Sequence, residues 1–244
     1  MIIRQSAEAR KNRDLRQIPA RRREGNRRWL SRVGARQGVV LLGGATLAHF
    51  RIRVAQSHLR QDLLPSFWSL AGILDGDRAF HSAPLDDLGS ASLVPLKNGV
   101  QLCSMADYDD PEEFPNIAVV QFGKQDAAIR RNVGRVQTQR SVVDLPTLIL
   151  RWLGFVWGAG QRSNPLFEGQ GLPSSVLVET VYGMARIELT PGLSSSSSCP
   201  EAIWQTAKWW RQYYQDTESP PRGWYAIRQP AAAAAEHPAR RRKR

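Results

Sequence analysis

"PSFWSLAGIL", residues 65–74, is the stretch on which the reading of the fold turns. Aromatic and aliphatic residues follow a proline and are broken only by serine and glycine, the pattern of a buried strand that begins at a turn. Next in the chain, "DGD" (75–77) reads as a turn and "RAFHSAPL" (78–85) as the strand that pairs back on it. Asn98-Gly99, within "ASLVPLKNGVQLCSM" (91–105), marks another turn of the hairpin type. "NIAVVQFG" (116–123) has the composition of a strand. On the N-terminal side, "GVVLLGGATLAHFRIRV" (38–54) reads as strand-like runs broken at Gly43-Gly44. "AQSHLRQDLL" (55–64) reads as a short helix or loop ended by Pro65.

The character changes beyond residue 140. In "VDLPTLILRWLGFVWGAG" (143–160), Asp144 is placed to cap a helix and a proline follows two residues later. Residues 145–157 are apolar on nearly every side, so this helix is expected to be buried, and it is too short to span a bilayer. "SSVLVETVYGMARIEL" (174–189) opens on serines suited to capping and repeats apolar residues at Leu177, Val181 and Met184. "CPEAIWQTAKWWRQYYQ" (199–215) has Pro200 in its first turn and Ile203, Ala207, Trp210 and Tyr214 on one face. Loops "QRSNPLFEGQGLP" (161–173) and "TPGLSSSSS" (190–198) separate the three. Strands precede helices, which predicts an α+β domain: a small antiparallel sheet or half-barrel packed against helices.

The net charge of +12 is concentrated at the ends. Residues 1–37 hold twelve Arg and Lys against three acids, and the last eight, "HPARRRKR", add five cations, which leaves the body close to neutral. Like-charged blocks of low hydrophobicity are usually solvated. The expected organisation is therefore a basic flexible arm over 1–37, a domain over 38–216, and a Pro/Ala-rich linker with a basic tail over 217–244. Basic tails are also suited to nucleic acid or an anionic surface. Two cysteines, Cys103 and Cys199, in no metal-like spacing imply neither a disulfide framework nor a zinc site. Gly43-Gly44 lacks the context of a phosphate-binding loop, and no cofactor or metal is expected. No 18-residue apolar run is present, and the first residues lack the apolar stretch of a secretory signal. Glu8, Asp14 and Glu24 argue against a transit peptide, so the expected location is cytoplasmic.

Taken in order, several segments resemble the circularly permuted branch of the NlpC-type papain-like amidases, which includes lipid-directed acyltransferases. "GATLAHFRIR" (44–53) is similar to the family's opening strand, "WSLAGIL" (68–74) to its "WSHVGI"-like strand, and "AFHSAP" (79–84) to the short strand that follows. "GVQLCSMADYDDPEEFPNIAVVQF" (99–122), "SSVLVETVYGMARIEL" (174–189) and "CPEAIW" (199–204) complete the series. The resemblance covers roughly 44–210 and implies a papain-like (permuted) fold. In such a site a thiol sits at a helix N-terminus, which favours the thiolate, and a histidine on the facing strand acts as base.

Both reacting positions depart from that pattern. Ser174 stands where the resemblance expects the cysteine, and Leu70 where it expects the histidine. His81 falls at the position of the orienting polar residue, so a Ser174–His81 dyad is the candidate catalytic pair. Cys199, preceded by five serines at a helix start, is a candidate reactive thiol. His49, His58 and Cys103 read as structural, His237 lies in the tail, and "DYDDPEE" (107–113) reads as a solvated loop with weak calcium affinity as its functional alternative. Trp209 and Tyr213, beside Lys208 and Arg211, are candidates for contact with a partner.

Three functions follow as expectations. The first is a catalytically degenerate hydrolase fold that binds a small-molecule, peptide or lipid ligand, or a partner, through the old cleft. The second is an active amidase, esterase or acyltransferase using Ser174 and His81. The third is a nucleic-acid or anionic-surface binder working through the basic ends.

Overall fold

The computed structural model describes residues 11–85, 98–123, 126–158, 162–214 and 220–228. Its centre is a strand, β2 (Val39–Gly43), in which every residue is buried. Alternation sends Val39 and Leu41 into one apolar cluster and Val40 and Leu42 into another, so the sheet has a core on each face. β3 (Leu70–Asp75) and β6 (Asn116–Gln121) flank β2, both antiparallel. Ala71 and Ile73 of β3 join the first cluster, while Leu70 and Leu74 join the second.

β3 turns at Gly76, whose φ of 77° suits glycine, into β4 (Ala79–Ser82). The register pairs Ile73 with His81 and Leu74 with Phe80. β5 (Gln101–Ser104) pairs antiparallel with β4. Asn98 and Gly99, just before it, both have positive φ, 46° and 74°, as the Asn-Gly turn demands. The segment that would lead into that turn lies outside the described residues.

Three helices stand where the sequence placed them. α4 (Leu145–Val156) is capped by Asp144, whose carboxylate accepts from the Thr147 N–H and hydroxyl. α5 (Pro173–Gly183) packs against β3, and it ends earlier than the 174–189 span because Ala185, Arg186 and Ile187 fold into turns. α6 (Pro200–Lys208) continues into the short α7 (Trp210–Tyr213). α3 (Asp126–Thr138) was not foreseen; it buries Ile129, Val133 and Val136 on one stripe.

Three expectations are corrected. "GATLAHFRIR" is not a strand: β2 stops at Gly43, and α2 (Leu47–Ala55) follows with Thr46 as its cap, accepting from the His49 N–H at 3.4 Å. Most of the 1–37 arm is folded. β1 (Leu15–Gln17) runs parallel to the last strand, and α1 (Asn26–Val33) buries Trp29 and Leu30 completely against the second cluster. The arginines of α1 project outward while two apolar side chains anchor it, so its average polarity concealed an amphipathic helix. Trp29 Nε1 donates to the Ile18 carbonyl at 2.9 Å, and Asn26 Nδ2 donates to the Tyr108 and Phe114 carbonyls at 2.8 and 3.0 Å.

The 217–244 tail is corrected in the same sense. Residues Arg222–Ile227 form β7, which inserts between β1 and β6. Gly223 fits there because a side chain would meet the Val119 carbonyl at 2.1 Å. Among the described residues the sheet thus has seven strands in the order β1-β7-β6-β2-β3-β4-β5, all pairs antiparallel except β1 with β7. It is a mixed α+β fold, with strand and helix less segregated along the chain than the sequence suggested, since β7 closes the sheet after the last helix.

Candidate functional site

The 65–74 stretch is held by three serine contacts. The Ser66 hydroxyl donates to the Glu201 carboxylate at the start of α6 at 2.5 Å. Gln205 donates to the other Glu201 oxygen, also at 2.5 Å, and Arg60 lies 3.8 Å from it. Burial pushes the Glu201 carboxyl up, opposed by the Ser66 and Gln205 hydrogen bonds. Ser69 Oγ accepts from the Gly44 N–H at 2.9 Å, which fixes the turn leaving β2. Ser174 Oγ accepts from the Ala71 N–H at 3.3 Å.

That last contact brings the start of α5 onto the predicted strand, one residue beyond Leu70. The pairing of β3 with β4 reaches inward only to Ile73–His81. Beyond it, Ser82 Oγ donates to the Ala71 carbonyl at 2.7 Å while Ser174 accepts the N–H, so two side chains satisfy the backbone that β4 leaves unpaired. Ser174 is 1% exposed. Ser175 beside it is fully buried, and its Oγ has no hydrogen-bond partner among the described residues. Leu70 is 3% exposed and packs in the cluster with Trp29, Leu42 and Phe114, on the sheet face opposite Ala71. A side chain at 70 is therefore directed away from the face on which α5 packs.

His81 is not a partner of Ser174: no hydrogen bond joins them. His81 lines an open cavity of about 310 Å³ at the turn end of β3, together with Arg36, Ile73, Asp75, Arg130 and Tyr182. Its Nε2 lies 3.8 Å from Asp75 Oδ2, and its buried Nδ1 has no partner among the described residues. Burial holds the imidazole below its ordinary pKa, and the Asp75 carboxylate partly opposes this. No serine, threonine or cysteine is among the described residues lining the cavity. A base with a carboxylate neighbour is thus present, but the expected nucleophile belongs to a different, closed location.

Cys199 is corrected outright. It caps α6 with its backbone but is 0% exposed, because the 195–198 turn folds over the 169–172 segment. Gly171 N–H donates to the Ser196 carbonyl at 2.7 Å and Leu172 N–H to the Ser198 carbonyl at 2.8 Å. Burial pushes the thiol up to about 12, outweighing the N–H groups at the helix start, and Glu201 and Glu179 add to the rise. The serine run thus makes a lid rather than an access route.

The remaining candidates are placed as follows. Cys103 packs in β5, and His49 stacks edge-on against Phe114 at 5.2 Å. His58 contacts the Ala55 carbonyl and the Phe167 ring. In the acidic loop, Asp109 accepts from the Arg27 N–H and Asp110 from the Glu112 N–H. Among the described residues, no group of three or more His, Cys, Asp or Glu is placed to hold a metal. Trp209 Nε1 donates to Gln205, Lys208 lies over the Trp209 ring at 5.0 Å, and Tyr213 is exposed. His237 and the basic ends at 1–10 and 229–244 lie outside the described residues. No described helix is long and apolar enough to cross a membrane.

Sequence reasoning missed Arg36, Arg130 and Tyr182. The apolar repeat Ile129–Val133–Val136 was the available signal for α3, and hence for Arg130. Comparison with protein-family models, with curated proteins and with solved structures finds no match to this chain.

Proposed function

We propose that this protein is a non-hydrolytic binding protein, built on a permuted papain-like frame that has lost its reaction, and that its ligand enters the cavity beside His81. The observation that carries the reading is the closure of both reacting positions. The Ser174 hydroxyl is buried and committed to the Ala71 N–H, and Leu70 is packed into the opposite core. A serine hydroxyl needs a base within hydrogen-bond reach to become a nucleophile, and none of the described residues is placed to serve Ser174. The contact of α5 with the "WSLAGIL" strand agrees with the frame, whereas position 70, which faces the opposite side of the sheet from α5, departs from it. The open cavity supports binding, because it offers the concave, partly apolar surface with convergent polar groups that small ligands use.

Turnover tests the reading. Short-chain p-nitrophenyl esters and anilides are expected to be hydrolysed at the same rate by the wild-type protein and by Ser174→Ala. Turnover that disappears in Ser174→Ala would establish the active-hydrolase alternative in its place.

A further inference from the structure

We propose that the cavity at the turn end of β3 binds a small organic anion, with its oxyanion head on Arg36 and Arg130 and its apolar body on the cavity floor. This deepens the binding reading above by naming the ligand class.

The walls come from four separate parts of the chain. Arg36 precedes β2, Asp75 lies at the β3–β4 turn, Arg130 is on α3 and Tyr182 is near the end of α5. Arg36 and Arg130 are exposed, and neither forms an ion pair with a described residue. Guanidinium groups present planar, bidentate donors matched to carboxylate and phosphate oxygens. The His81 ring also lines the cavity, with its Nε2 3.8 Å from Asp75. Among the described lining residues Asp75 is the one acid, against Arg36 and Arg130, and that balance of fixed charge favours an anion. Its exposed carboxylate, 3.8 Å from His81, is free to accept a hydroxyl or protonated oxygen of the ligand.

The floor is of the opposite character. Ile73, Ile129, Val133 and Tyr182 are all buried yet line the cavity, offering an aliphatic and aromatic surface to a flat body. The volume, about 310 Å³, lies at the lower end of the range for ligand clefts, which restricts the ligand to a compact molecule. An oxyanion attached to a small ring or short chain fits both features, whether the head is a phosphate monoester or a carboxylate.

The test is titration calorimetry on the full chain with phenyl phosphate, benzoate, inorganic phosphate and phenol. Phenyl phosphate or benzoate is expected to bind, and whichever binds more tightly identifies the head group. Phenol, which keeps the ring without the charge, is expected to bind at least about tenfold more weakly. In the double variant Arg36→Gln, Arg130→Gln, both on the surface, anion binding is expected to fall about tenfold or more with the melting temperature unchanged. Ile129→Trp, which fills the floor, is expected to abolish binding of the aromatic anion. No binding of either aromatic anion at millimolar concentration, equal binding of phenol, or binding unchanged in the arginine double variant would each overturn the proposal. Ser174-dependent ester turnover would refute the non-hydrolytic reading while leaving these binding results standing, so the two fail separately.

Discussion

At the scale of the residue, the 65–74 stretch carries its consequences through neighbouring side chains rather than through a catalytic one. Ser66, Ser69 and Ser174 each fasten it to a different element. Leu70 is legible in the sequence as an apolar strand residue, but the face it points to is not. That depends on the register of β3 against β2, where Leu70 pairs with Leu42, and on α1 covering that side. His81 and Ser174 were legible as polar residues at a strand and a helix start, whereas their separation is a tertiary property. Restoring the family pattern with Leu70→His and Ser174→Cys is therefore expected to give no hydrolysis. It is also expected to cost about 3 kcal/mol of stability, because an imidazole without a partner enters an apolar cluster. Denaturant unfolding checks the stability and ester turnover checks the activity. Gained hydrolysis with stability retained would show that residue 70 faces the reacting position after all.

At the scale of the element, the helices that repeat apolar residues strongly, α4, α5 and α6, were readable because their pattern is local. α2 was missed because "AHFRIRV" alternates like a strand, and its identity rests on the Thr46 cap and on packing. α1 and β1 were hidden by charge and β7 by its place after a polar segment, although "GWYAI" is apolar enough to be a strand. The folded N-terminal layer makes a pH prediction. Arg32 contacts both Glu24 oxygens at 2.8 Å, and the Arg21 N–H donates to Glu24 at 2.9 Å. Together they hold the Glu24 carboxyl down at about 2, against the cost of burial. A carboxyl lowered in the folded state stabilises the fold above its unfolded pKa, and that stability is lost as pH falls from about 4.5 towards 2. Glu24→Gln is expected to lower stability at neutral pH by roughly 1–3 kcal/mol and to flatten the acid limb of the stability profile. Unfolding followed from pH 7 to pH 2 checks this, and parallel profiles for the two proteins would remove Glu24 from the account.

At the scale of the whole molecule, one sheet with a core on each face puts the possible chemistry in two unlike places. Beside Ala71 the backbone is satisfied by serine hydroxyls and the space is closed. At the turn end of β3, arginines, His81 and Asp75 surround an open cavity. The α+β class was legible because most strand and helix patterns are local. The insertion of β7 between β1 and β6, and the assembly of the cavity from four distant segments, were not, because long-range pairing leaves no local mark. The central claim is that Ser174 is a structural hydroxyl and not a nucleophile. Its most direct test is intact-protein mass spectrometry after incubation with a fluorophosphonate. The account predicts an unmodified mass for the folded wild-type protein, the same as for Ser174→Ala. A single phosphonyl adduct that maps to Ser174 and is absent from Ser174→Ala would contradict it.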